Sequence, residues 1–222
     1  MLRLIIGNKR YSSWSLRGWL AVRQSGLPFE EVVVPLYDEA WEARKARPDL
    51  APSLGKVPTL WDGDHIVWDS LAIIDYLDAL TGRERFWPRD NAALALARSM
   101  AAEMHAGYQP LRQACGMNLR HILPPRDHGA EVAANVARIV QLWSDARSRF
   151  GADGDYLFGP FGAADIMFAP VVTRFVTYSI AVPDVARRYM DAVLAHPFMI
   201  AWTADAAAEP WVIPQFEPAQ EA

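Results

Sequence analysis

GKVPTLWDGDHIVWDSLAIIDYLDALTG, residues 55–82, is the stretch whose reading decides the fold. Pro58 has no N–H and stands directly before the β-prone run Thr59-Leu60-Trp61, so it cannot donate to a sheet there. An X-Pro bond in a tight turn ahead of a strand is a candidate cis peptide. A cis Val57–Pro58 bond would turn the Val57 N–H and C=O outward, free to pair with an extended peptide ligand. A second β-prone run, Ile66-Val67-Trp68, follows Asp62-Gly63-Asp64-His65. An Asp-Gly pair between such runs predicts a hairpin. Asp69-Ser70 then opens a helix, with Leu71, Ile73, Ile74, Leu77 and Leu80 at helical spacing and Gly82 as its stop. Ser70 and the neighbouring N–H groups lie at the positive end of that helix, where a carboxylate is stabilised.

Upstream, residues 2–6 read as a strand and residues 7–11 as a polar turn. The segment SSWSLRGWLAVRQSG, residues 12–26, reads as a helix with Leu16, Trp19 and Leu20 on one face and Gly26 closing it. Ser12, Ser13 and Ser15 crowd its start, and capping alone would account for serine there. The run Glu30-Glu31-Val32-Val33-Val34-Pro35 is a β-branched strand ended by proline. Strand, helix, strand implies a right-handed βαβ unit with a parallel pair. Residues 38–49 are charged and Ala-rich, a short irregular helix. The N-terminal elements therefore run β-α-β-α-β-β-α, a thioredoxin-like layout.

The order V-P-T-L, hairpin, acidic residue and Ser at a helix start resembles the glutathione-binding half of the glutathione transferases. The resemblance is to the bacterial cytosolic type, with a zeta-like serine motif: S-S-W-S-L-R looks like the S-S-C-x-x-R run of the zeta class. It implies that Val57, before Pro58, pairs with the cysteinyl backbone of glutathione. Asp69 and Ser70 would hold the γ-glutamyl end, and Lys56 could meet the glycine carboxylate. Asp69 stands where many relatives have Glu. Ser12 falls on the activating serine and Arg17 on the motif's arginine, with Ser13 and Ser15 near enough to remain candidates. A hydroxyl is wanted there because a free thiol has a pKa of about 8.5 and only the thiolate is nucleophilic. Each unit of depression corresponds to about 1.4 kcal/mol of preference for the anion. Trp14 replaces the zeta cysteine, which argues against mixed-disulfide chemistry, and could wall the electrophile pocket.

Composition narrows the alternatives. The chain has 222 residues, 52% of them hydrophobic, enough for a packed core. A net charge of -4, with the basic residues scattered, argues against a nucleic-acid surface. One cysteine, Cys115, precludes an intramolecular disulfide, and no His or Cys spacing suggests a metal. The N-terminal apolar run is too short for a signal peptide and no run approaches a membrane span, so a cytoplasmic location is expected.

After residue 82 the β signals stop. Residues 83–90 read as a linker, and residues 91–222 as an all-helical domain. A helical stretch is expected over 91–123, interrupted near Pro110, with another helix from Asp127 to about Phe150. Tyr156 onward resembles the motif that starts the buried helix of the transferase helical domain. Asp165 would bond back to the Gly162 N–H as half of a capping box. Two more helices are expected over 185–194 and 197–208, then a proline-rich tail packed extended before it frays. His105 and Tyr108, on the helix bordering the electrophile pocket in that family, could line the pocket or sit in the core.

The resemblance thus implies a thioredoxin-like N-terminal domain (1–82) and an all-α domain (91–222) forming the electrophile pocket. It implies glutathione as co-substrate, a small electrophile and a homodimer. A cis-trans isomerase of the maleylacetoacetate type is the specific alternative, with Arg17 and Lys9-Arg10 as candidates to meet a diacid. A non-catalytic glutathione-fold binding protein is the other.

Overall fold

The structure is a computed structural model, and it describes residues 1–218. Strands β1 (Leu2–Ile6), β2 (Phe29–Val33), β3 (Thr59–Asp62) and β4 (His65–Val67) form one sheet in the order β2-β1-β3-β4. β1 pairs parallel with β2 and antiparallel with β3, in the register Leu4 opposite Leu60 and Ile5 opposite Thr59. β1 is an inner strand, and its Leu4-Ile5-Ile6 run is buried on both faces, with Arg3 alone partly exposed. Leu2, Leu4 and Ile6 face the main core, while Ile5 packs on the other side with Val34 and Leu50.

Helices α1 (Ser13–Ser25) and α3 (Ser70–Leu80) cover the main-core face, through Leu16, Leu20, Ile73, Ile74 and Leu77. Helix α2 (Trp41–Lys45) and the 3-10 turn Ala51–Ser53 lie between β2 and β3. Gly26 closes α1 in the left-handed region at φ 71°. Gly18 has no side chain because a Cβ there would lie 2.6 Å from Pro58 Cβ. That contact sets α1 against the Val57–Pro58 turn.

The remaining helices are α4 (Asn91–Ala106), α5 (Gln109–Ala114), α6 (Ala130–Phe150), α7 (Ala163–Thr177), α8 (Asp184–Ala195) and α9 (Pro197–Ala208). Helix α7 is buried around its circumference, with only Val176 partly exposed, and forms the axis of the helical domain. Asp165 receives the Gly162 N–H at 2.9 Å and the Leu157 N–H at 3.1 Å, the half-box expected from the sequence. Helix α1 bridges the two domains: the Arg17 Nε–H donates to the Met167 carbonyl of α7 at 3.0 Å.

The helical domain departs from expectation in one region. The chain leaves helix at Gly107 and Tyr108, and Pro110 sits in the first turn of a separate helix, where its missing N–H costs nothing. Residues 115–129 carry no helix, and α6 begins at Ala130 rather than Asp127. Tertiary bonds replace local ones here: the Arg174 guanidinium donates to the Cys115 carbonyl and the Thr177 hydroxyl to the Asn118 carbonyl. The expected fraying of the tail falls on residues 219–222, outside the described residues. The part described, 209–218, is pinned by the Glu209 and Glu217 side chains to the loop after β1 and to residues 118–121.

Candidate functional site

A cavity of about 470 Å³ opens at the start of α1. Ser12 and Trp14 line one side of it. Lys56, Val57, Pro58, Trp68 and Asp69 line another, and the segment before and within α2 closes it with Leu36, Tyr37, Trp41 and Lys45. Six of the residues singled out in the sequence therefore meet in one hollow: Ser12, Trp14, Lys56, Val57, Pro58 and Asp69. The Val57–Pro58 peptide is cis, and so is Trp68–Asp69. Val57 makes no backbone hydrogen bond among the described residues. The cavity residues from α2 and the preceding segment carried no sequence signal beyond an irregular charged helix.

The three serines separate in space. Ser12 is the N-cap of α1: its Oγ accepts the Ser15 N–H at 3.2 Å while its edge reaches the cavity. Ser15 is fully buried, receives the Gly7 N–H at 2.9 Å, and lies outside the cavity lining. Ser13 points into the helical domain, where its Oγ accepts from Arg174 at 3.2 Å. One serine thus faces the hollow, one lies beneath it and one turns to the helical domain.

Asp69 is the N-cap of α3, and its Oδ1 accepts the Leu71 N–H at 3.1 Å. Its Oδ2 lies 3.1 Å from His105 Nε2 across the domain boundary. The His105 ring meets Trp14 edge-on at 5.4 Å, so His105 stands behind the cavity wall. Ser70 is fully buried at the first turn of α3, its Oγ has no hydrogen-bond partner among the described residues, and it does not line the cavity.

Tyr108 does not reach the cavity. Its hydroxyl donates to Glu103 Oε1 at 2.6 Å, and its ring belongs to the core. Burial and the adjacent Glu103 carboxylate raise its pKa well above the phenolic range. Lys9 and Arg10 also turn away. Lys9 Nζ is held at 2.6 Å from both Glu31 and Asp205, over the rings of Trp19 and Trp202. The Arg10 guanidinium donates to the carbonyls of Ala206, Glu209 and Trp211. Carboxylates on β2 and α9 hold Lys9 at the domain boundary and backbone carbonyls at and after the end of α9 hold Arg10 there, partners that sequence proximity to Ser12 does not reveal.

Arg17 is where three cations converge. Arg17 and Arg112 both stack on the Trp14 ring, at 5.2 and 5.1 Å. Arg174 is buried beside Ser13. None of the three is paired with a carboxylate among the described residues, and Arg17 Nη1 is buried without a partner. Burial, then the charges of Arg112 and Arg174, press the Arg17 pKa well down, with Asp69 opposing. Arg174 is lowered to about 10, by burial first and Arg112 second. Arg112 and Arg174 lie far along the chain from the serine run and carried no sequence signal. Cys115 is fully buried and burial raises its thiol pKa, so no reactive thiol stands at the cavity.

Residues 11–80 match the family model described as glutathione S-transferase, N-terminal domain. Solved structures share the fold across nearly the whole chain. A maleyl pyruvate isomerase, described as a bacterial glutathione-S-transferase in the zeta class, is 22% identical over 94% of this chain and 98% of its own, with a TM-score of 0.69. A maleylacetoacetate isomerase from Anaeromyxobacter dehalogenans 2CP-1, with glutathione bound in the active site, is 23% identical over 95% and 97%, with a TM-score of 0.64. A glutathione transferase homolog from Burkholderia gl BGR1, with bound glutathione, is 22% identical over 93% and 98%, with a TM-score of 0.65. A comparison with curated proteins gives no match. These likenesses establish the thioredoxin-like sheet domain followed by a helical domain.

Proposed function

We propose that this chain is a glutathione transferase that binds glutathione in the cavity at the start of α1 and stabilises its thiolate for attack on a small electrophile. The observation that carries the reading is that Ser12, Val57 and Asp69 line one cavity. An extended tripeptide would pair its cysteinyl backbone with Val57, whose N–H and C=O are otherwise unused. The γ-glutamyl carboxylate would meet the backbone N–H groups at the start of α3, with the Asp69 carboxylate near its ammonium. Lys56 supplies positive charge for the glycine carboxylate. The sulfur then falls by Ser12, whose hydroxyl donates to it at the positive end of α1. The serine is a hydrogen-bond donor in this scheme and forms no covalent bond to substrate.

The converging arginines favour a specific second reading, the cis-trans isomerisation of an unsaturated diacid. Arg17 and Arg112 against Trp14, with Arg174 beside Ser13, repel one another, and an anionic substrate would relieve that repulsion. The thiolate adds to the conjugated double bond, the resulting single bond rotates, and the thiolate leaves. A homodimer in the cytoplasm accords with the same resemblance.

Retention on immobilised glutathione, followed by turnover with neutral electrophiles and cis-unsaturated diacids, separates the readings. Ser12→Ala should lower kcat at least ~10-fold while leaving glutathione affinity within about threefold, and Ser13→Ala should lower neither by this amount. Retention without turnover on any substrate would instead identify a binding protein. If Ser12→Ala turns over like the wild type, the thiolate role of Ser12 is wrong.

A further inference from the structure

Ser15 lies directly beneath Ser12, and the hydrogen bonds around it determine which way a proton points. The two hydroxyl oxygens are 2.8 Å apart, so a single proton lies between them. Ser15 Oγ already accepts the Gly7 N–H at 2.9 Å, and the Ser15 N–H donates to Ser12 Oγ at 3.2 Å. A serine hydroxyl has one proton to give and two sites to accept.

Suppose Ser12 gave its proton to Ser15. Ser15 would then accept twice, and its own proton would need a different acceptor. Ser15 is fully buried, and among the described residues its hydroxyl meets only the Gly7 N–H and Ser12. A buried donor left unmade costs about 1–3 kcal/mol. Suppose instead that Ser15 gives its proton to Ser12. Every group is then satisfied on the protein side. Both acceptor sites of Ser12 are filled, by the Ser15 O–H and the Ser15 N–H, and the Ser12 proton is left to face the cavity.

We propose that Ser15 is a positioning residue: it donates a hydrogen bond to Ser12 Oγ and so aims the Ser12 proton at the sulfur of the bound thiol. The relay runs from the Gly7 N–H through Ser15 and Ser12 to the thiolate, and each bond polarises the next. No proton is transferred along it. A hydrogen bond to the anion stabilises the anion, so the relay lowers the thiol pKa. This inference rests on the glutathione reading above.

The test is a titration of the bound thiol, followed by the ultraviolet absorbance of the thiolate in the protein–glutathione complex, alongside the pH profile of kcat. Ser15→Ala should raise the midpoint by roughly half to one unit, a ~3–10-fold fall in the ionisation constant of the bound thiol, with little change in glutathione affinity. Ser15→Thr, which keeps the hydroxyl, should restore the wild-type midpoint. If Ser15→Ala does not fold, Ser15→Cys takes its place: it fills the space with a weaker donor and should give an intermediate midpoint. A midpoint equal to the wild type in a folded Ser15→Ala or Ser15→Cys protein overturns the role of Ser15 alone. A wild-type protein that shows no thiolate signal overturns the glutathione reading and this inference together.

Discussion

Lys9→Met tests the assignment of Lys9 to the domain boundary rather than to the pocket. The Lys9 side chain is 4% exposed, and its ammonium sits between Glu31 and Asp205 and against two tryptophan rings. Removing one member of a fully buried ion pair costs ~3–5 kcal/mol, because the other charge is stranded. Here the carboxylates keep 28% and 54% exposure and regain water, so each ion pair contributes nearer the surface range of about 0–1 kcal/mol. The two cation–π contacts add ~0.5–1 kcal/mol each. Methionine keeps most of the stem packing, so the expected loss is ~2–3 kcal/mol. Urea unfolding of the wild type, Lys9→Met and Lys9→Arg measures it, with the midpoint shift at unchanged slope as the readout. A pocket lysine would behave in the opposite way, raising KM for an acidic second substrate with stability intact. A Lys9→Met protein within about 0.5 kcal/mol of the wild type, an ordinary surface effect, would refute the clamp.

Asp165→Ala should destabilise the fold by ~2–5 kcal/mol, since the buried Leu157 N–H and the part-buried Gly162 N–H lose a carboxylate acceptor. Burial lifts the Asp165 pKa to about 6 against those two donors. A native pKa above the unfolded value makes this contribution largest below about pH 4 and lost as pH rises through 6. The gap between wild type and variant should therefore narrow over that window, and a gap independent of pH counts against the argument. Tyr108→Phe should leave kcat within about twofold and cost ~1 kcal/mol of stability through the lost Glu103 bond; a large fall in kcat would return Tyr108 to the pocket. Arg112→Leu should raise KM for an unsaturated diacid ~10-fold or more and spare a neutral electrophile, because a charge-assisted bond to a carboxylate is lost. Equal losses on both substrates would remove the acidic-substrate reading.

The site was legible where the chain brings its parts together locally. Val57, Pro58, Asp69 and the helix start at Ser70 lie within fourteen residues, and hairpin and cap chemistry arrange them with little help from the rest of the molecule. The serine run was legible as a helix start for the same reason. What each serine faces was not. Their directions follow the turn of α1 about its axis, and that axis is set by packing against Pro58 on one side and α7 on the other. Helical spacing leaves Tyr108 open to either pocket or core; the chain breaks at Gly107 and the ring lies in the core.

Local physics in the sequence determined the proline turn, the hairpin, the capped helices and the change from sheet to helix after residue 82. Those features depend on neighbours a few residues away, so propensity, caps and turn residues specify them. Tertiary structure decided which charges meet. Lys9 and Arg10 went to the domain boundary because Glu31, Asp205 and the carbonyls at the end of α9 converge there. Arg112 joined Arg17 on Trp14, and Arg174 reached Ser13, because the helical domain folds back onto α1. A side chain's electrostatic partners are set by distance through space, and that distance exists only once the two domains have closed on each other.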